Sequence, residues 1–95
     1  MRESQIENYL KLEIEKFGGL CLKFVSPGNK GVPDRLLILP GGEVIFAELK
    51  NGNKGRLSAL QVRMQTVLKS LQCRTYVLTT KPEVDKLIAE LREEL

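Results

Sequence analysis

The sequence predicts one α/β domain, a mixed four-stranded sheet flanked by helices in the order αβββαβα. Three observations carry this. Three β-rich runs, 20–25, 34–39 and 44–50, follow one another with only short loops between them, the pattern of an antiparallel meander. A helical segment separates them from a fourth β-rich run at 74–79, and an intervening helix permits a parallel crossover. The length, 95 residues, fits a single domain spanning 1–95.

The elements follow in order. Ile6, Tyr9, Leu10, Ile14 and Phe17 recur at helical spacing and make one apolar stripe over about Gln5 to Phe17. Ser4 and Glu7 fit a capping box at its start, and Gly18-Gly19 stops it. Glu7 also borders the apolar stripe, from which it can lean over the sheet. Leu20 to Val25 alternates as a strand. Ser26 to Pro33 is a Gly/Pro/Asn loop carrying Lys30, and glycine lets such a backbone approach a phosphate. Pro33 pushes Val32 into an extended conformation, presenting Asp34 at the start of the second strand.

Pro40-Gly41-Gly42 then marks a hairpin turn between Leu36–Leu39 and Val44–Lys50. With these three residues as the loop, Leu39 faces Glu43, and counting outward sets Asp34 opposite Glu48. Directly opposed side chains lie roughly 4.5–5.5 Å apart at Cβ, where like charges destabilise. Glu48 and Lys50 share a face because side chains alternate along a strand. The hairpin therefore gathers two carboxylates and an ammonium at its open end. A hard divalent cation between the acids removes the conflict, and magnesium is commonly held by one or two carboxylates plus phosphate. The ordinary alternative is a solvated Glu48–Lys50 surface pair of little energetic worth.

Beyond the hairpin, 51–57 is a loop with Lys54 and Arg56. Ser58 and Gln61 fit a second capping box opening a helix to about Leu71, with Leu60, Met64, Val67, Leu68 and Leu71 as its buried stripe. Gln61 thus caps the helix or, one turn from the end of the Glu48–Lys50 strand, contacts DNA backbone or a water. Pro82 opens a last helix whose apolar face is Val84, Leu87, Ile88, Leu91 and Leu95.

Composition excludes several chemistries. No histidine and no cysteine cluster argues against zinc and removes Ser-His or Cys-His nucleophilic catalysis. Cys21 and Cys73, both in predicted strands, read as buried free thiols. No apolar run approaches the ~20 residues of a membrane span, and the N-terminus lacks a signal peptide's apolar core. The expected location is intracellular, such as the cytoplasm of a bacterial or phage-infected cell, without membrane contact. Net charge is only +3, but between Glu48 and Glu83 the chain carries Lys50, Lys54, Arg56, Arg63, Lys69, Arg74 and Lys81 with no acid. Such a run is the footprint of a polyanion such as nucleic acid, or else a solvated basic face.

With Asp34 opening one strand and Glu48-Leu49-Lys50 on the next, the order resembles the PD-(D/E)XK nuclease superfamily. Gly31-Val32-Pro33-Asp34, Glu48-Leu49-Lys50 and Gly55-Arg56-Leu57-Ser58 with Gln61 together resemble the VRR-NUC (virus-type replication-repair nuclease) domain. The resemblance covers nearly the whole chain. It implies a restriction-endonuclease-like core and a metal-dependent endonuclease of branched DNA, such as four-way junctions in DNA repair, acting as a homodimer. It implies Mg2+, with Mn2+ substituting, held by Asp34, Glu48 and the Leu49 carbonyl, with Glu7 completing the site directly or through water. Lys50 would orient the attacking water, and Gln61 would lie near the scissile phosphate. Lys30, Lys54, Arg56, Ser58 and Arg63 are the expected DNA contacts. The competing reading is a non-catalytic DNA-binding module using the basic segment Lys50 to Lys81.

Overall fold

Pro40 and Gly41 take the two central positions of a turn closed by Gly42 N–H donating to the Leu39 carbonyl at 2.9 Å. Gly41 has φ +93°, the left-handed value that a type II turn needs after proline. Leu39 N–H then donates to the Glu43 carbonyl, so the loop is the expected three residues. A computed structural model describes residues 2–51 and 56–95 of the chain. Its elements are α1 (Glu3–Phe17), β1 (Leu20–Lys23), β2 (Arg35–Ile38), β3 (Val44–Leu49), α2 (Ala59–Ser70), β4 (Arg74–Leu78) and α3 (Lys81–Glu93).

The sheet order is β1-β2-β3-β4. The first three strands pair antiparallel, and β3 pairs parallel with β4. The crossover through α2 makes that last pairing possible. Alternation divides β3 between two faces. Ile45, Ala47 and Leu49 join Cys21, Leu37 and the buried stripes of α1 and α3 in one core. Val44, Phe46 and Glu48 face the other side, where α2 lies with Gln65 accepting a hydrogen bond from Thr75. Arg74 ties the far end together, reaching Glu43 after the hairpin turn and Glu94 at the end of α3. Among the described residues, no helix is long and apolar enough to cross a membrane.

Four expectations are corrected. First, α1 begins at Glu3, with Arg2 as its N-cap, and the Gln5 side chain accepts from the Arg2 N–H at 2.9 Å. Ser4 is therefore inside the helix, and Glu7 caps nothing. Second, the α2 stripe is not buried: Leu60, Val67 and Leu71 are 48%, 42% and 68% exposed, and Gln65 is the buried residue of that helix. Two helices cover one face of the sheet and a single helix covers the other, so part of α2 and of β1–β2 is left open. Third, Leu95 is exposed beyond the end of α3, although Val84, Leu87, Ile88 and Leu91 are buried. Fourth, Cys73 precedes β4 and is half-buried; Cys21 is buried in β1, where loss of water pushes its thiol pKa up.

Candidate metal and catalytic centre

The hairpin register carries the site. Arg35 pairs with Ala47, so the next step outward sets Asp34 across from Glu48. Asp34 is pinned there: its Oδ2 accepts the Leu49 N–H at 2.8 Å, and its own carbonyl accepts the Phe24 N–H. Glu48 is only 1% exposed. Its Oε1 accepts from Gln61 Nε2 at 3.0 Å, whereas Oε2 is buried with no hydrogen-bond partner.

That arrangement is uncomfortable for an anion. Burial above all, and next the adjacent Asp34, push the Glu48 carboxyl up to about 8. Lys50 pulls the other way but does not prevail. Near neutral pH Glu48 is therefore held largely in its protonated form. Lys50 follows β3 directly, half-buried, and its N–H donates to the Leu78 carbonyl at 3.0 Å, which fixes its backbone against β4.

Gln61 takes the capping role expected of it and has a second, unexpected partner in Glu48. Its Oε1 accepts the Ser58 N–H at 2.9 Å and its own N–H donates to Ser58 Oγ, closing the capping box. The amide nitrogen left over is the donor to Glu48. The N-terminus of α2 is held in place for this by Gly31. At φ +89° Gly31 lies so close to α2 that a Cβ would sit 2.5 Å from the Leu60 carbonyl oxygen.

Glu7 is elsewhere. Its carboxylate pairs with Arg35, which alternation puts on the α1 face of β2, away from Asp34 and Glu48. The α1 acid whose charge is felt at Glu48 is Glu3, which adds to the upward push. Sequence reasoning missed Glu3 because it began the helix two residues later, at Gln5. The available signal was spacing, since Glu3 and Glu7 are four apart and share a helical face. Of the expected DNA contacts, Arg56 is exposed, and Ser58 is engaged in capping. Lys30 on the β1–β2 loop and Arg63 on α2 line one cleft. Lys54, with Gly55 of its motif, lies outside the described residues.

A hard divalent cation fits these residues. Glu48 Oε2 is an unsatisfied buried donor atom, and a second carboxylate stands beside it. Among the described residues no cluster of three or more His, Cys, Asp or Glu side chains exists. The two acids would therefore be supplemented by backbone carbonyl and water, the usual habit of magnesium.

No family model matches the chain. Over 50 residues it is 56% identical to a protein named "Putative nuclease p44" of Acyrthosiphon pisum secondary endosymbiont phage 1. That match covers 53% of this chain and 54% of the phage protein, so it spans about half the length of the curated relative. A solved structure described as a VRR_NUC domain superposes with a TM-score of 0.87. It is 32% identical, over 92% of this chain and 94% of that one.

Proposed function

The chain belongs to the VRR-NUC family of nucleases, and from that membership we propose that it is a divalent-metal-dependent endonuclease of branched DNA. The observation that carries the metal requirement is the buried Asp34–Glu48 pair with its unpartnered oxygen. Asp34, Glu48 and the Leu49 carbonyl would hold Mg2+, with Mn2+ able to replace it. When bound, such an ion supplies Lewis-acid charge to the phosphate and acidifies a water. Glu48, held protonated by its surroundings, would give up that proton to serve as a ligand. Gln61 holds one Glu48 oxygen, which leaves the other free to bind. The Lys50 ammonium, whose charge is felt at Glu48, would orient the water and offset the charge that grows on the phosphoryl oxygens. Glu7 would join the site only by releasing Arg35. Lys30, Arg56 and Arg63, with Lys54, would hold the flanking backbone, in a manner that weakens steeply with salt.

The test is cleavage of four-way-junction and linear DNA in Mg2+, Mn2+ or EDTA. Cutting of the junction is expected in either metal and none in EDTA. Lys50→Met is expected to slow it by about 10²–10³, the usual loss when one transition-state charge partner is removed. Binding without cutting in every metal, or undiminished cutting by Lys50→Met, would sink the proposal.

A homodimer is part of this reading. By register Leu20, Ile38 and Val44 form one row across the open face, with Leu22, Leu36 and Phe46 in the next. Leu20, Leu22 and Val44 are 53%, 43% and 42% exposed, a contiguous apolar surface of the kind that marks an interface. A two-fold pair would present two sites to the two strands of a branch. Leu20→Lys with Leu22→Lys is expected to sediment as a monomer. A monomeric parent protein with full junction cleavage would remove the dimer from the account.

A further inference from the structure

A cleft of about 210 Å³ lies between the β1–β2 loop and α2, beside the catalytic pair rather than in it. Its wall is the flank of α2 formed by Leu60, Met64 and Val67, at spacings that bring them to one side of the helix. Leu60 and Val67 stay largely exposed there. Lys30 from the loop and Arg63 from α2 add two cations, and among the described residues no carboxylate lines the cleft. Asn29 completes it; its Nδ2 donates to Ser26 Oγ at 3.1 Å, which leaves the amide carbonyl turned to other use.

An apolar wall between two cations matches one kind of group: an aromatic base carried on a phosphate chain. Enzymes that take a base out of its stack commonly seat it against apolar side chains and read its edge by hydrogen bonds. The placement relative to the chemistry is close. Gly31, next to Lys30, presses on the Leu60 backbone, and Gln61, next to Leu60, bonds Glu48.

We propose that this cleft receives one unpaired base of the DNA, with its neighbouring phosphates on Lys30 and Arg63. The inference rests on the nuclease reading and deepens it: the favoured substrate carries an unpaired nucleotide beside the scissile phosphate. Continuous duplex keeps its bases stacked, whereas branch points and gaps release them at lower cost. Preference for branched DNA would then come from the cleft, with no sequence readout required.

The experiment is an abasic scan in EDTA, where no cutting complicates binding. A set of branched oligonucleotides, each lacking one base near the branch, is titrated against the protein by fluorescence anisotropy. One position is expected to lose about tenfold in affinity, the scale of a base seated on a side-chain platform. In a Leu60→Asn/Met64→Gln variant, intact DNA should bind about tenfold more weakly, and the abasic position should cost nothing more. A flat scan, or an unchanged profile in the variant, overturns the proposal. So does a flat scan combined with loss of dimer in the variant, which would make this flank a subunit contact. Should the variant fail to fold by circular dichroism, the parent protein still decides. 2-Aminopurine at the sensitive position should brighten on binding, and no change refutes a seated base. Cleavage in metal with a flat scan would leave the nuclease standing without the cleft. A peaked scan without cleavage would do the reverse.

Discussion

Glu48→Gln is expected to lower metal-dependent cleavage by at least ~10³ and, in the same protein, to raise stability without metal at alkaline pH. Loss of activity follows from the proposed role of Glu48 as an anionic metal ligand. The gain in stability follows from the titration of that group. Glu48 titrates near 8 in the folded chain against 4.5 when free. Between those values the native state holds a proton that the unfolded chain has released. Unfolding therefore becomes easier as pH rises through that window, and below about 4.5 both states are protonated and the penalty vanishes. Glutamine keeps the shape and carries no charge at any pH, so the slope should flatten. The difference at pH 9 should be on the order of a few kcal/mol, because Glu48 is almost wholly shielded from water. Urea unfolding at pH 5, 7 and 9 in EDTA measures it. Added Mg2+ should restore stability to the parent protein more at pH 8 than at pH 6, since binding must expel the Glu48 proton, and should do little for Glu48→Gln. Identical pH profiles for the two proteins would show that the acids are not in conflict, and the case for a cation between them would fail.

The parts of this site written locally were legible from sequence. Pro40-Gly41-Gly42 sets a three-residue loop, and once the loop is known the register of β2 on β3 is arithmetic. Asp34 and Glu48 meet because each is five residues from the loop's flanking pair, Leu39 and Glu43. Ser58 and Gln61 likewise mark the start of α2, since a capping box is a contact between residues three apart. What escaped was set at long range or by competition between equal local signals. Two polar pairs were available at the first helix, and Gln5 reaching back to Arg2 won over Ser4 with Glu7. The partner of Glu7 is Arg35, 28 residues away, which no helical pattern announces. Periodicity on α2 told which residues share a side, but not that Leu60, Val67 and Leu71 stay exposed there. The double use of the Gln61 amide was invisible for a similar reason. Capping consumes its oxygen, and only the fold brings Glu48 to its nitrogen.

Gly31→Ala should cost about 2–4 kcal/mol and should weaken cleavage at temperatures where the variant is still folded. Two costs add. At φ +89° an L-residue is strained by its own Cβ, as alanine also would be at Gly28, where φ is +80°. Of these two glycines only Gly31 bears the second cost: its Cβ would meet Leu60 oxygen at 2.5 Å and Leu60 carbonyl carbon at 2.7 Å. These are backbone atoms inside the first turn of a helix, and no rotamer change can clear them. At Gly28 nothing lies within 4 Å. Gly28→Ala should therefore cost about 1–2 kcal/mol and leave activity unchanged once corrected for folded fraction. In Gly31→Ala the loop must step back from α2 or push α2 away from the sheet. Either movement lengthens the Gln61–Glu48 hydrogen bond, frees the Glu48 carboxyl to rotate, and widens the gap between Lys30 and Arg63. Thermal unfolding of the two alanine variants, with cleavage measured well below each midpoint, separates strain from contact. Equal destabilisation would mean that the loop does not bear on α2. Greater destabilisation of Gly31→Ala with undiminished cleavage would mean that this contact serves the fold and not the placement of Gln61.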